Sequence, residues 1–345
     1  MIRRSDILLL DVGGTYIKCG DGRCIPMPSG GSRDDIAAAL RHAVAGLVPP
    51  AWCGPAPACG KQKASPLSGN AFRSPAPAPQ SLAIGVAIPG PFDYKKGIFL
   101  MRHKFAAVYG VSFRELAGIP EDAVVRFRHD VIAALEGALA IESASCAWVR
   151  RRSSERPAEA GTEPKAMSVG REPRGIVGGS APSTDTALVT IGTGLGFAHT
   201  QDGAVQVGPT GSPARSIYNL PWGDGILEDA VSARGIRNAY ARLTGRTDLS
   251  TAQIAHLAEE GDDAAMEVFS DMGGILGEAL APVLEELGVG TLLLAGQVSR
   301  SLPLFERPLR NALDGIDICR APEGAVFAGL CRLFDPPAGL DATDH

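Results

Sequence analysis

Three apolar runs in this chain each empty into a glycine turn: LLLDVGGT at 8–15, ALVTIGTGLG at 187–196 and LLLAGQ at 292–297. Glycine accepts backbone conformations that other residues avoid and lets a ligand come close to the main chain. A strand feeding a turn with open N–H groups and hydroxyls is a natural phosphate cradle. One such turn would be an ordinary tight turn. Three in one chain, each directly behind an apolar strand, point to a nucleotide site. The first turn offers Gly13, Gly14 and Thr15, the second Gly192, Thr193, Gly194 and Gly196, and the third Gly296 and Gln297. None has the P-loop ending Gly-Lys-Ser/Thr, and GTGLG is too short for a dinucleotide fingerprint. Asp11 stands just before the first turn. A carboxylate there would repel phosphate unless it orients a hydrated Mg²⁺ that bridges phosphate oxygens. Its alternative role is to brace the strand end.

Other reactive side chains are fewer. Arg128-His129-Asp130 follows the strand-like VVRF and opens the helix-like VIAALEGALA, so Asp130 falls at or near a helix N-cap at the carboxyl end of a strand. Pro89-Gly90-Pro91 is a rigid turn that can present backbone groups. Lys104 and His103 lie in a short charged run that is either solvated or turned toward a ligand. Glu228 fits the first turn of a helix, where the dipole favours a carboxylate. Cys53 and Cys59, in a Pro/Ala-rich stretch, and His42, His199, His256 and His345 show no metal-ligand spacing. No Gly-x-Ser-x-Gly elbow is present.

In order along the chain, DVGGTYIK (11–18), IGVAIPGPFD (84–93), IGTGLG (191–196) and AGQ (295–297) resemble the ROK family of bacterial sugar kinases, within the actin-like/hexokinase ATPase superfamily. The resemblance implies an α/β chain of two actin-like, ribonuclease-H-like lobes around a central cleft. It implies ATP held by Asp11, Gly13, Gly14, Thr15, Lys18, Gly192, Thr193, Gly194 and Gly196, with adenosine near Gly296 and Gln297. Asp11 would hold Mg²⁺ through water. Asp130 takes the place of the family's catalytic base. His129 stands where the family has a sugar-binding Asn, either as a hydroxyl ligand or as a surface histidine. Pro89 and Gly90 match the loop over the sugar, and Lys104 occupies the place of an Asn-Leu sugar contact. Glu228 matches the family's last site glutamate. The stretch AVQVGPTGSPARSIYNLPWGDGILED departs from the pattern: it lacks the family's Glu-Ile-Gly-His and its cysteine cluster, so no structural zinc is expected.

The elements that must position these residues alternate. Strands are expected at 7–11, 81–88, 124–127, 186–191, 196–200 and 291–295. Helices are expected at 32–47, 131–143, 225–243, 263–287 and 325–334. The long helix at 263–287 holds Gly273-Gly274, which a close approach of nucleotide or of another helix, or a plain kink, would explain. Two stretches, 49–80 and 150–184, are rich in Pro, Gly and polar residues without apolar period, and read as mobile insertions, as does the tail. The expected organisation is an N-terminal lobe over 1–129, a C-terminal lobe over 130–323, a closing helix at 324–335 returning to the first lobe, and a disordered tail at 336–345. No internal repeat is visible.

Composition narrows the function. The 345 residues carry 33 Lys+Arg against 38 Asp+Glu, a net charge of −5 that suits a polyanion partner poorly, so no nucleic acid is expected. No apolar run approaches the roughly 18–20 residues that span a bilayer, so no membrane is expected. The run at 7–10 is too short for a signal-peptide core, and 7 scattered cysteines suggest reduced thiols, which together read as cytoplasmic. The resemblance implies an ATP-dependent, Mg²⁺-requiring, glucokinase-like hexose kinase, with a sugar as its small-molecule partner and a homodimer as an open expectation. The alternative is a non-catalytic sugar-binding regulator or scaffold. Family repressors carry a DNA-binding segment ahead of the first loop, whereas ten residues precede Asp11 here. Polyphosphate as donor would favour a basic groove, which the sparse lysines do not suggest.

Overall fold

A computed structural model describes residues 7–45, 82–144 and 185–335; the two expected insertions, Cys53, Cys59 and the tail with His345 lie outside the described residues. The chain divides into two units. One takes the described residues up to Ala133, Pro209–Ser212 and those from Gly329 on; the other takes the remainder between Ala134 and Ala328.

In the first unit, the elements run β1 (Ile7–Val12), β2 (Tyr16–Cys19), β3 (Cys24–Pro26), α1 (Arg33–Ala45), β4 (Ala83–Ile88), β5 (Phe92–Asp93), β6 (Ile98–Phe99), α2 (Phe113–Ala117), β7 (Val124–His129) and the start of α3 (Asp130–Ala144). The main sheet has the order β3-β2-β1-β4-β7, with β1, β4 and β7 parallel and the β2–β3 hairpin antiparallel at one side. Leu8, Leu10 and Val12 alternate into a core with Ile36, Leu40 and Val44 of α1, which carries apolar residues at helical spacing. Every residue of β4 is buried, as a central strand covered on both faces requires. Gly85 on that strand lies against Leu330 and Phe334, so the helix Ala325–Arg332 and the turn behind it cover the second face.

The second unit runs β8 (Thr186–Ile191), β9 (Leu195–Gln201), β10 (Ala204–Val205), β11 (Pro221–Trp222), β12 (Gly225–Ile226), α4 (Leu227–Val231), α5 (Ala233–Thr244), α6 (Thr251–Glu259), α7 (Asp263–Glu286), β13 (Thr291–Ala295), α8 (Leu302–Ala312), β14 (Asp317–Arg320) and into α9 (Ala325–Arg332). Its sheet has the order β10-β9-β8-β13-β14, again three parallel strands flanked by an antiparallel hairpin. The two sheets therefore repeat one topology that no internal sequence similarity announced.

One expected helix is two. The stretch 225–243 starts as strand and then breaks at Ser232, whose backbone is extended (ψ 171°) and whose side chain accepts from the Gly235 N–H. A Cβ at Gly235 would stand 2.4 Å from the Ala230 carbonyl oxygen, so the corner needs a glycine. Apolar residues keep helical spacing across the corner, which hid it. The Gly273-Gly274 pair in α7 also separates. At Gly273 a Cβ would meet the Phe305 carbonyl oxygen at 2.5 Å, and at Gly277 it would meet the Ala312 Cβ at 2.6 Å, whereas Gly274 faces open space. The close partner is α8.

His199 on β9 is 4% exposed, stacks on Phe197, and its Nδ1 finds no hydrogen-bond partner among the described residues. Burial and then the Arg215 charge push its pKa below the ordinary value, with Asp185 pulling weakly the other way.

Two outcomes follow in stability measurements. By denaturant unfolding, Gly273→Ala should lose about 1–3 kcal/mol through overpacking against α8, while Gly274→Ala should gain up to about 1 kcal/mol from helix propensity. The native chain prefers His199 neutral, so the unfolded chain takes up this proton first. The contribution of His199 is therefore fully present above the ordinary histidine value of 6.5 and declines as pH falls from there toward the depressed native value. His199→Phe should flatten that part of the stability–pH curve relative to the parent; identical curves would exclude the histidine as the cause.

Candidate functional site

The register of the first sheet sets its chemistry. Asp11 pairs with Ala87 and Ile88 pairs with His129, so β1, β4 and β7 end along one edge. Ligand-binding groups in open α/β sheets gather at such an edge. Behind β1, the Gly13 N–H donates to the Tyr16 carbonyl (2.9 Å) and closes a hairpin turn that leaves Thr15 exposed. The Ser29 hydroxyl donates to the Gly14 carbonyl at 2.5 Å. Asp11 faces Lys18 across the β1–β2 ladder, and Lys18 Nζ stands 3.4 Å from its Oδ2. The Asp11 side chain is only 16% exposed. Burial raises its pKa, Lys18 pulls it down and the charge of Asp130 pushes it up again, leaving it above the ordinary carboxylate value.

Asp130 is the first residue of α3, and its Oδ1 accepts the Val131 N–H at 2.7 Å. His129 places Nδ1 2.7 Å from the same oxygen, with its own side chain 14% exposed. Burial works to raise the Asp130 pKa. The His129 charge and contact, the Val131 N–H and Lys104 overcome that and hold the carboxyl below its ordinary range. Lys104 also reaches the first turn: its Cδ is 3.4 Å from where a Cβ on Gly14 would stand. Gly90, beside Pro89, is enclosed in the same way by Tyr94 Oη (3.4 Å), Ser212 Oγ (3.5 Å) and His129 Cδ2 (3.6 Å). Asp11, Lys18, Gly13, Gly14, Thr15, Pro89, Gly90, Lys104, His129 and Asp130 thus all belong to this edge of the first unit.

Three members of this cluster escaped the sequence reading. Tyr94 donates its hydroxyl to the Ile88 carbonyl (3.0 Å), and its ring sits tilted beside that of His129, centroids 5.8 Å apart. Burial and the Asp130 charge raise its pKa far above that of a free tyrosine, so it stays a donor. Its position four residues after Gly90 was the one available signal. Ser29 and Ser212 had none, since Ser212 arrives from a distant stretch of chain, with Gly211 (φ +87°) packed on the Tyr94 ring.

The second unit holds the other two glycine turns. Gly192 donates to the Gly194 carbonyl (3.0 Å), and its own carbonyl accepts the Ala233 N–H (2.8 Å), a donor freed by the break between α4 and α5. Glu228, on α4, accepts the Leu195 N–H at 2.9 Å, so its carboxylate already braces this turn. Thr193 is exposed, and Gly192 faces open space. Gly296 has φ +87°, and a Cβ there would stand 2.4 Å from the Ile191 carbonyl oxygen; glycine lets the third turn fold onto the end of β8. Gln297 beside it is exposed.

Among the described residues no group of three or more His, Cys, Asp or Glu side chains could hold a metal ion, and no helix is long and apolar enough to cross a membrane. A hydrated Mg²⁺ asks less, one or two carboxylates plus phosphate oxygens. Asp11 fits that role, since burial and the Asp130 charge both make added positive charge favourable there.

No protein-family model matches the sequence, and no curated protein sequence matches it. Solved structures do match. A ROK family glucokinase from Streptomyces griseus, in complex with glucose and AMPPNP, aligns with 95% of this chain and 98% of its own at 16% identity and TM-score 0.63. A glucokinase from Parabacteroides distasonis aligns with 97% of this chain and 87% of its own at 20% identity and TM-score 0.58. A ROK family transcriptional regulator, a homolog of the E. coli MLC protein, aligns with 94% of this chain and 77% of its own at 16% identity and TM-score 0.59. The fold is the actin-like ROK fold, two mixed α/β units with a five-stranded sheet in each.

His129→Asn should raise the Asp130 pKa, because it removes the neighbour whose charge and contact lower it while burial stays. Asp130 is then ionised only at higher pH, and whatever stability its contacts lend is lost at a higher pH on acidification. Carboxyl-carbon NMR of Asp130 in parent and variant measures the shift; an unmoved midpoint would refute the role given to His129.

Proposed function

We propose that this protein is an ATP-dependent sugar kinase that transfers the γ-phosphoryl group to a hexose hydroxyl, with Asp130 as the general base. The observation that carries the reading is the common edge of β1, β4 and β7. There an ionised carboxylate at a helix start shares a cluster with a second carboxylate and a glycine turn. Phosphoryl transfer to an alcohol asks for such a set: a group to take the hydroxyl proton, and groups that hold phosphate oxygens. In this reading Asp130 accepts the proton, and His129 and Lys104 keep it charged. Pro89, Gly90 and His129 line the acceptor's place, with Tyr94 bracing the ring of His129. In the first unit Gly13–Thr15 are the candidate phosphate turn and Lys18 steadies Asp11; in the second unit Gly192–Gly196 are the candidate phosphate turn, and Gly296 and Gln297 the candidate adenosine turn. Asp11 would hold Mg²⁺ through water, and the ion would supply neutralising charge at the phosphate oxygens. Glu228 remains a candidate hydroxyl ligand, although its carboxylate also braces the second turn.

The relatives in fold support nucleotide and sugar as ligands, since one was solved with glucose and AMPPNP. The regulator among them supports the second reading, a sugar-binding protein without catalysis. An ADP-release assay across hexoses, amino sugars and their N-acetyl forms separates the two. The kinase reading expects turnover on at least one member; silence on all of them, with sugar binding intact, favours the regulator. Asp130→Ala should lower kcat by about 100- to 10,000-fold while ATP binding, followed by calorimetry, stays largely intact. Undiminished turnover would remove Asp130 from the mechanism.

A further inference from the structure

Lys104 is held over the first glycine turn by an unusual backbone. Its neighbour Phe105 is fully buried and adopts the left-handed conformation, φ 54° and ψ 25°, which residues with a Cβ avoid. Strained backbone persists where surrounding contacts over-determine it, and those contacts are present. The Phe105 N–H donates to the Ser29 carbonyl at 2.7 Å, and its ring packs 5.2 Å from that of Phe99. Ser29 in turn donates its hydroxyl to the Gly14 carbonyl. The result is a lysine stem laid across Gly14, with Cδ and Cε 3.4 Å and 3.6 Å from where a Cβ would stand.

Its neighbours in the same charged run behave otherwise. Arg102 and His103 are exposed, and Arg102 stacks over Tyr109, 4.1 Å from the ring centre. Lys104 alone of the three is half-buried. Its charge also acts on Asp130, lowering that carboxyl's pKa, while its stem lies against the glycine turn.

We propose that Lys104 is a catalytic residue for the phosphoryl group itself, its ammonium meeting the non-bridging oxygens of the group in transfer rather than a sugar hydroxyl. The inference rests on the kinase reading above and gives Lys104 a narrower role within it. During transfer, negative charge spreads over three equatorial oxygens, and a fixed cation in a partly desolvated place stabilises that charge most. Lysine is a compact point charge that serves a phosphate from many directions, whereas a neutral hydroxyl gains less from it. The balance is simple. The bond from the γ-phosphorus to the bridging oxygen of a nucleoside triphosphate breaks, and the diphosphate leaves with the electron pair. The acceptor oxygen bonds the phosphorus, and its proton passes to Asp130. Lys104 keeps all its protons throughout.

The test uses the full chain as parent, Lys104→Arg and Lys104→Met, with matched thermal melts to show that each is folded. Inorganic phosphate is titrated while the Gly14 and Ser29 amide resonances are followed by NMR. Glucose and glucose 6-phosphate are titrated by calorimetry, and kinetics are measured on any sugar the parent turns over. Phosphate should weaken at least ten-fold in Lys104→Met and little in Lys104→Arg. Glucose affinity should hold while glucose 6-phosphate affinity falls, and kcat should fall with the acceptor KM unchanged. Three results would each overturn the proposal: phosphate that perturbs parent and Lys104→Met alike, no phosphate response at those amides in the parent, or equal weakening of glucose and glucose 6-phosphate. If the parent turns over no sugar and yet phosphate binding still depends on Lys104, the kinase reading fails and the phosphate contact stands.

Discussion

Like charges set the terms at the edge of the first sheet. Parallel β1 and β7 flank β4, so two strand spacings, roughly 10 Å, separate the backbones that carry Asp11 and Asp130. The charge of Asp130 is felt at Asp11, whose side chain is largely shut off from water. The protein answers with close partners: Lys18 on Asp11, and His129, the Val131 N–H and Lys104 on Asp130. The outcome differs between the two. Asp130 gains enough partners to stay ionised below the ordinary range, whereas Asp11, with one lysine at 3.4 Å, does not. The two carboxyl groups are thus pushed in opposite directions from the ordinary value by the different company each keeps.

The glycines divide by what presses on them. Gly273 and Gly277 exist for α8, which comes too close for any side chain. Gly296 serves the close approach of its own turn to β8. Gly192 faces open space, and Gly14 and Gly90 meet side chains rather than backbone, namely Lys104 and Ser29 in one case and Tyr94, Ser212 and His129 in the other. A glycine against backbone is a packing requirement. A glycine ringed by polar side chain ends, at a strand's carboxyl edge, marks where those ends converge.

Legibility followed the range of the forces involved. Strands such as 7–11 and 186–191 and the helix at 263–287 declare themselves through local apolar period. The β2–β3 hairpin, α6, α8 and β14 were not read as elements, the strands among them because 3 or 4 residues carry too little period. The corner at Ser232 was hidden because its apolar residues keep helical spacing on both sides, yet that corner frees the Ala233 N–H for Gly192. The duplicated sheet order was invisible too, since topology constrains which faces are buried and leaves the identity of each apolar residue loose.

By itself, the amino-acid order determined that this is an α/β chain with three glycine turns behind apolar strands and an acidic residue at a strand-to-helix junction. Those are local properties, written in neighbouring residues. The tertiary structure alone decided the company each group keeps: Tyr94 and Ser212 around Gly90, Glu228 on the Leu195 N–H, and Lys104 laid across Gly14. Such contacts depend on register between strands and on where distant segments return, and no short window of sequence encodes either.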